Sequence, residues 1–133
     1  NDGMGDYVAS EIVKCMIKNN IPVNESNVLI LGITFKENCP DVRNTKVVDL
    51  VYALKDYGAN ITIHDPWADE QEIIHEYGLM SLKSLPNEKF DAVVLTVAHS
   101  KFKDLDILSL KKEKAIVYDL KNLLPKNIVT KKL

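Results

Sequence analysis

Hydrophobic positions follow two patterns that alternate along the chain. They recur at helical spacing between Asp6 and Asn19, which predicts an amphipathic helix there. From Val28 to Ile33 they form an unbroken run, typical of a strand buried on both faces of a parallel sheet. Helical spacing returns from Val47 to Leu54, and further strands are predicted at Asn60 to His64, Ala92 to Leu95 and Ala115 to Tyr118. This alternation predicts βαβ crossovers and a parallel sheet with helices on both faces.

Cap and turn residues set the limits of the predicted helices. Asn44 or Thr45 is the predicted N-cap of the second helix, and Gly58 is predicted to end it. Asp65 is placed to cap the third helix. The third and later helices are predicted at Pro66 to Tyr77, Ser81 to Leu85 and Leu105 to Lys111. The expected fold class is a small doubly wound, Rossmann-like α/β domain, preceded by one helix that we assign to a neighbouring domain.

Composition narrows the class of protein and its partners. The chain has 133 residues, of which 46% are hydrophobic, the size of one domain with a buried core. Its formal net charge of −2 and its short lysine clusters give no reason to expect nucleic acid as a partner. No apolar run approaches the ~20 residues of a membrane span, so no membrane partner is expected. Cys15 and Cys39 have no paired spacing, which favours a reducing cytoplasm over a disulfide scaffold.

The loop after the first strand is the main candidate for a binding site. Ligands of open parallel sheets bind beyond the carboxyl ends of the strands, and the stretch from Thr34 to Asn44 is long for such a loop. It carries Lys36 and Arg43 and then opens a helix whose first amides favour an anion. Salt bridges of these two cations with Glu37 and Asp41 on a solvated loop explain the pattern equally well. The residues alone leave both interpretations open.

Other positions add weaker candidates. Lys121 follows the strand predicted at 115–118 and could form a third phosphate contact. The loop with Gly32 lacks the G-x-G-x-x-G pattern, so this domain is not expected to hold NAD in the usual Rossmann manner. Cys39 has no histidine nearby in sequence and is interpreted as a passive thiol. The histidines, among them His99 at a strand end, lack metal-ligand spacing, so no metal is expected and a structural role is favoured for His99.

Several of these motifs together resemble one enzyme family. The segment from Gly32 to Thr45 is similar to the G-x-x-[FY]-K and D-x-R signature of the UDP-glucose/GDP-mannose dehydrogenase family. The residues from Lys36 to Asp41 are most similar to those of the branch that oxidises UDP-N-acetylglucosamine or UDP-N-acetylgalactosamine. The similarity continues, in order, through Asp65-Pro66-Trp67, Thr96-Val97-Ala98-His99 and Asp119 with Lys121.

The resemblance implies a division of the chain and of its chemistry. Asn1 to Met4 resembles the end of a helix that joins the middle domain to the carboxy-terminal one. Residues 1–24 are therefore expected to be the end of a connecting helix and a linker, and residues 25–133 a UDP-sugar-binding domain. Family enzymes oxidise the sugar C6 alcohol to a carboxylate with two NAD⁺ through a cysteine nucleophile, and those of this branch supply uronic acids for bacterial surface polysaccharides. That nucleophile and the NAD-binding loop belong to earlier domains, so this chain alone is expected to be inactive.

The resemblance also assigns residues and partners. Phe35 and Lys36 match positions that contact the UDP-sugar, and Lys121 matches a basic substrate contact more loosely. Arg43 matches an arginine that reaches the NAD held mainly by the amino-terminal domain. The implied partners are a UDP-sugar, the missing amino-terminal and middle domains, and a second copy in a homodimer of the whole enzyme.

Two functions from other classes are weighed against this one. A receiver-like signalling module needs a pair of acidic residues directly after the first strand, and none stands between Gly32 and Lys36. A non-catalytic regulatory domain that binds a nucleotide is the second alternative.

Overall fold

Six parallel strands form a single sheet in the computed structural model, which describes residues 3–132. The sheet order is β3-β2-β1-β4-β5-β6, the order of a classic dinucleotide-binding fold, in which the strand sequence reverses between β1 and β4. The strands are β1 Asn27–Leu31, β2 Asn60–His64, β3 Ser81–Leu82, β4 Phe90–Leu95, β5 Lys111–Asp119 and β6 Lys131–Lys132.

Three α-helices cover one face of this sheet. They are α1 Met4–Lys18, α2 Val47–Asp56 and α3 Glu70–Tyr77. Because side chains alternate along a strand, Val28 and Ile30 of β1 point to this face, where they share a core with residues of all three helices. The predicted helix near the amino terminus is therefore confirmed, and it contributes to the same core as the sheet. The boundary between residues 24 and 25 stays a prediction, and Asn1 and Asp2 lie outside the described residues.

The second face is covered by 3₁₀ helices rather than α-helices. Leu29 and Leu31 point to this face and pack with Phe102 and Ile107 in a second cluster. The 3₁₀ helices are Ser100–Asp104, Ile107–Leu110 and Lys126–Ile128. The doubly wound parallel α/β fold is confirmed, and the helices on this face are shorter and tighter than expected.

Two predicted helices are wrong. The segment predicted as a helix from Ser81 to Leu85 instead begins with strand β3, whose residues pair with Ile63 and His64 of β2. The helix predicted from Leu105 to Lys111 is a four-residue 3₁₀ helix, Ile107–Leu110, followed at once by β5. Periodicity cannot identify elements of two to four residues, because a helical or strand repeat needs more positions to show.

Two predicted helix starts also need correction. Helix α3 begins at Glu70 rather than Pro66. The Asp69 side chain caps this helix by accepting hydrogen bonds from the backbone amides of Gln71 and Glu72. The N-cap of helix α2 is Lys46 rather than the predicted Asn44 or Thr45, although the Thr45 hydroxyl accepts the amide hydrogen of Val47, the first residue of the helix. No described helix has the length and apolar character needed to cross a membrane.

Candidate functional site

The candidate site lies where the strand order reverses. The loops that follow β1 and β4 leave the sheet side by side at this point, because these two strands are neighbours. Open α/β sheets bind ligands in the crevice formed there. Gly32 allows the loop after β1 to lie close to the loop after β4: its φ is +106°, and a Cβ on it would lie 2.6 Å from the Val97 Cβ. The fold therefore brings residues 34–37 and 96–97 to one edge.

Three lysines converge on a cavity of about 230 Å³ at this edge. Lys36 comes from the loop after β1, Lys46 directly precedes α2, and Lys121 follows β5. Among the residues that line this cavity, Glu37 is the one carboxylate, so positive charge dominates. We call this the three-lysine cavity. Its charge suits an anion such as a phosphate.

Lys46 was missed by the sequence analysis. It directly precedes Val47, the first residue of α2, so its side chain and the helix amides lie at the same end of the helix. Anions are favoured at helix amino termini because the amides there lack partners within the helix. The sequence predicts that the loop with Lys36 and Arg43 leads into a helix. A lysine directly before that helix was therefore the signal that could have identified Lys46.

Phe35 and Lys36 both line the cavity, and both are exposed. The Phe35 amide donates a 2.7 Å hydrogen bond to the Asp41 carbonyl, which closes the neck of the loop. The Phe35 side chain is 54% exposed although it is a large aromatic. An exposed ring beside three lysines offers a stacking surface for a base or a sugar.

Lys121 is held at the cavity by a turn that Asp119 organises. The Asp119 side chain is buried at the end of β5 and accepts hydrogen bonds from the amides of Lys121, Leu123 and Leu124, each 2.8 Å long. The carboxylate replaces the partners that these amides lose where the strand ends. The turn therefore directs Lys121 back toward the loop after β1.

Arg43 is not part of the three-lysine cavity. Its guanidinium makes two hydrogen bonds to Asp41, of 3.0 and 3.2 Å, and its side chain is 77% exposed. Hydrogen bonds from the side chain and the amide of Arg43 lower the pKa of Asp41. Lys36, in contrast, makes no ion pair with Glu37 in the described part of the chain. Of the two cations predicted in this loop, Arg43 thus makes the expected salt bridge, whereas Lys36 stays available for an anion.

A buried polar cluster lies beneath the loop. The Asp65 carboxylate has no exposure and accepts hydrogen bonds from the amides of Ile33 and Trp67 and from the His99 ring, at 2.7, 2.8 and 3.0 Å. Burial alone would raise the pKa of Asp65, but these hydrogen bonds outweigh it and lower that pKa. The structural role favoured for His99 is confirmed. The predicted capping of α3 by Asp65 is wrong, because Asp69 caps that helix.

A second group of lysines lies between helix α1 and the edge strand β6. Lys14, Lys18 and Lys131 surround a cavity of about 390 Å³. Here Glu11 lines the same cavity and pairs with Lys131 at 3.2 Å and with Lys14 at 3.5 Å. We call this the α1 cavity. Because Glu11 neutralises part of its charge, it is the weaker candidate for an anion.

The sequence predicts no chemistry at Cys39 or at the histidines. Cys39 is a half-buried free thiol. Within residues 3–132, no group of three histidine, cysteine, aspartate or glutamate side chains is arranged to hold a metal ion. His64 is buried, its Nδ1 lies 2.9 Å from the Leu82 carbonyl oxygen, and burial lowers its pKa.

Comparison with known proteins places this geometry in context. Residues 29–126 match the model of the UDP-glucose/GDP-mannose dehydrogenase family, UDP binding domain. UDP-N-acetyl-D-glucosamine 6-dehydrogenase of Salmonella typhi is 45% identical over 94% of this chain, and that of Pseudomonas aeruginosa is 46% identical over 93%. In both comparisons the matched region is 30% of the relative, so the chain spans about three-tenths of their length.

Solved structures with low sequence identity share the fold. NDP-N-acetyl-D-galactosaminuronic acid dehydrogenase from Methanosarcina mazei Go1 superposes with a TM-score of 0.78 at 23% identity, over 96% of this chain and 27% of that one. UDP-D-ManNAc dehydrogenase from Pyrococcus horikoshii gives a TM-score of 0.76 at 19% identity, over 99% of this chain and 31% of that one.

Proposed function

The chain belongs to the UDP-glucose/GDP-mannose dehydrogenase family, as its UDP-binding domain, and we propose that the three-lysine cavity binds the diphosphate of a UDP-sugar. The observation that carries this proposal is the convergence of Lys36, Lys46 and Lys121 on one cavity at the switch point of the sheet. Membership of a dehydrogenase family also separates the chain from receiver-like signalling modules.

Each residue of the cavity has a role that its chemistry suits. Lys36 and Lys121 act as point charges for the phosphates, and Lys46 adds a third beside the amides at the start of α2. Phe35 offers its exposed ring to the uracil or the sugar. Positive charge and an exposed aromatic ring suit binding and orienting the substrate, which is the role proposed for this domain.

The size of the cavity supports the proposal that this is half of a site. Pockets for ligands of this size enclose roughly 300–1,000 Å³, whereas the three-lysine cavity holds about 230 Å³. The remaining wall would come from the amino-terminal and middle domains of a longer chain. Closure between such domains excludes water and fixes the substrate against the reacting groups.

We propose that the complete protein is an NAD-dependent UDP-N-acetylhexosamine 6-dehydrogenase. The names of the relatives at 45% and 46% identity support this substrate class. It would oxidise the C6 alcohol to a carboxylate with two NAD⁺, for bacterial surface polysaccharides, as a cytoplasmic homodimer. Arg43, which is exposed and does not line the cavity, is available to reach the cofactor once its bonds to Asp41 yield.

NAD would be held mainly outside this domain. The one glycine after β1, Gly32, has the space beside it filled by Val97, 2.6 Å from the position of a Cβ. In dinucleotide-binding loops a second glycine, two positions further on, lets the backbone approach the pyrophosphate, and that position is Thr34 in this chain. The residues present therefore do not fit NAD in the usual Rossmann position.

Titration of the chain with nucleotides tests the proposal. We expect UDP to bind with a Kd of about 0.1–1 mM, the weak affinity of a half-site. UMP should bind at least roughly fivefold more weakly because it lacks one phosphate for the lysines, and NAD⁺ should not compete with UDP. Isothermal titration calorimetry measures all three. Equal affinity for UMP and UDP, or displacement of UDP by NAD⁺, would contradict a diphosphate site at these lysines.

A further inference from the structure

The His99 ring connects the core of the domain to the loop after β1. Its Nε2 lies 3.0 Å from the Asp65 carboxylate, and its Nδ1 accepts the amide hydrogen of Asn38 at 2.9 Å. Since an N–H donor points at Nδ1, that nitrogen carries no proton, and the ring proton lies on Nε2. His99 therefore donates to Asp65 on one side and accepts from the loop on the other.

The Asn38 side chain makes a second connection between the same two segments. Its Oδ1 accepts the Ser100 amide at 2.9 Å, and its Nδ2 donates to the Ser100 hydroxyl at 3.0 Å. Asn38 adopts a left-handed φ of 55°, which asparagine tolerates better than most residues. The loop after β1 is thus joined to the turn after β4 through the backbone and the side chain of Asn38.

These hydrogen bonds lie close to Lys36, the residue proposed to contact a phosphate. Two positions before Asn38, the Lys36 carbonyl accepts the Thr34 hydroxyl at 3.0 Å. That same hydroxyl oxygen lies 3.1 Å from the His99 Nε2. The backbone of Lys36 is therefore held from both sides by groups that converge on His99, although the Lys36 side chain is exposed.

We propose that His99 and Asn38 are positioning residues that hold Lys36 at the three-lysine cavity. They do not touch the ligand in this arrangement. They fix the backbone on either side of Lys36, so that less conformational entropy is lost when the lysine meets a phosphate. This inference rests on the proposed function, because the benefit of a fixed Lys36 depends on a phosphate ligand.

A pair of glycine variants tests this role. Asn38→Gly keeps the left-handed backbone and the amide that binds His99 but removes both bonds to Ser100. Asn44→Gly is a matched control, because Asn44 also has a left-handed φ, of 60°, in the same loop and, within the described residues, makes no hydrogen bond to the turn after β4. Two readouts are needed: hydrogen exchange of the Asn38 amide and UDP affinity by calorimetry, with Tm as a check on folding.

We expect the backbone amide of residue 38 to exchange roughly tenfold faster in Asn38→Gly than in the wild type, because its hydrogen bond to His99 opens more often. UDP should bind that variant about threefold to tenfold more weakly, with a Tm close to that of Asn44→Gly. Asn44→Gly should match the wild type in both readouts. Equal UDP affinity for the two variants would overturn the positioning role, even if the loop were looser in one of them.

A substitution at His99 gives an independent result. His99→Gln places an amide donor toward Asp65 but offers no acceptor at the Nδ1 position, whereas His99→Asn does the reverse. Exchange of the Asn38 amide should be faster in His99→Gln than in His99→Asn, and the opposite order would overturn the role given to Nδ1. If wild-type chain bound no UDP, the proposed function would fail, and this exchange order would still decide whether His99 holds the loop.

Discussion

Replacing Asp65 with alanine is expected to lower the free energy of unfolding by about 3–5 kcal/mol, the usual cost of removing one partner from a buried charged network. The carboxylate is fully buried and accepts four backbone amides and the His99 ring. Without it, these donors stay buried with no acceptor. Domains of this size are stable by only about 5–15 kcal/mol, so the loss is a large share of the total. Urea denaturation at neutral pH measures it.

A control separates this effect from the loss of any capping aspartate. Asp69 also accepts two backbone amides, but it lies on the surface. Asp69→Ala should therefore cost about 1 kcal/mol, as the loss of an N-cap does. If Asp65→Ala were no more destabilising than Asp69→Ala, the buried cluster would not have the importance given to it here.

The same carboxylate predicts how stability depends on pH. The folded state lowers the pKa of Asp65 below its ordinary value of 3.8, so the unfolded chain binds a proton more readily. Its contribution is fully present above that ordinary value and is lost as pH falls through the lowered folded-state pKa. In Asp65→Asn, which cannot titrate at this position, the fall in stability below about pH 4 should be shallower than in the wild type.

Replacing Lys36 and Lys121 together with alanine should weaken UDP binding by about 25-fold to 100-fold, since each contact between lysine and phosphate contributes roughly fivefold to tenfold. Both side chains line the three-lysine cavity and come from separate loops, so their effects should multiply. Both are exposed, and the fold should survive the change. Titration of the double variant with UDP measures the loss.

The α1 cavity supplies a control of equal charge. Replacing Lys14 and Lys18 with alanine removes the same two positive charges from exposed positions. UDP affinity should change by less than about twofold in that variant, because long-range attraction between exposed charges is screened at physiological salt. Equal losses in the two double variants would show that the net charge, and not the three-lysine cavity, determines binding.

The strands and helices with long hydrophobic patterns could be predicted from sequence, and the short or polar elements could not. Strand β2 has the predicted limits, from Asn60 to His64. Strand β5, in contrast, starts at Lys111, four residues before the predicted Ala115, because its first residues are polar and three of them are exposed. A strand that begins outside the core carries no hydrophobic signal at its start.

The candidate site was predictable in position more than in detail. The rule that ligands bind beyond strand ends placed Lys36 and Lys121 on one edge, and the structure brings them to one cavity. Which acid each cation would meet was not predictable: Arg43 pairs with Asp41, while Lys36 makes no ion pair with Glu37 within residues 3–132. Such choices depend on the backbone path of the loop. The link between Asn38 and His99 spans 61 positions, and no local pattern reveals a contact of that separation.

The most direct test of the three-lysine cavity is to follow the backbone amide signals of the chain by NMR during titration with UDP. We expect the largest shifts at residues 34–37, 46–47, 96–97 and 121, which line the cavity. Shifts at Lys14, Lys18 and Lys131 around the α1 cavity should stay small. Saturable shifts confined to the α1 cavity, or none at the three lysines at millimolar UDP, would contradict the proposal that this edge of the sheet binds the diphosphate.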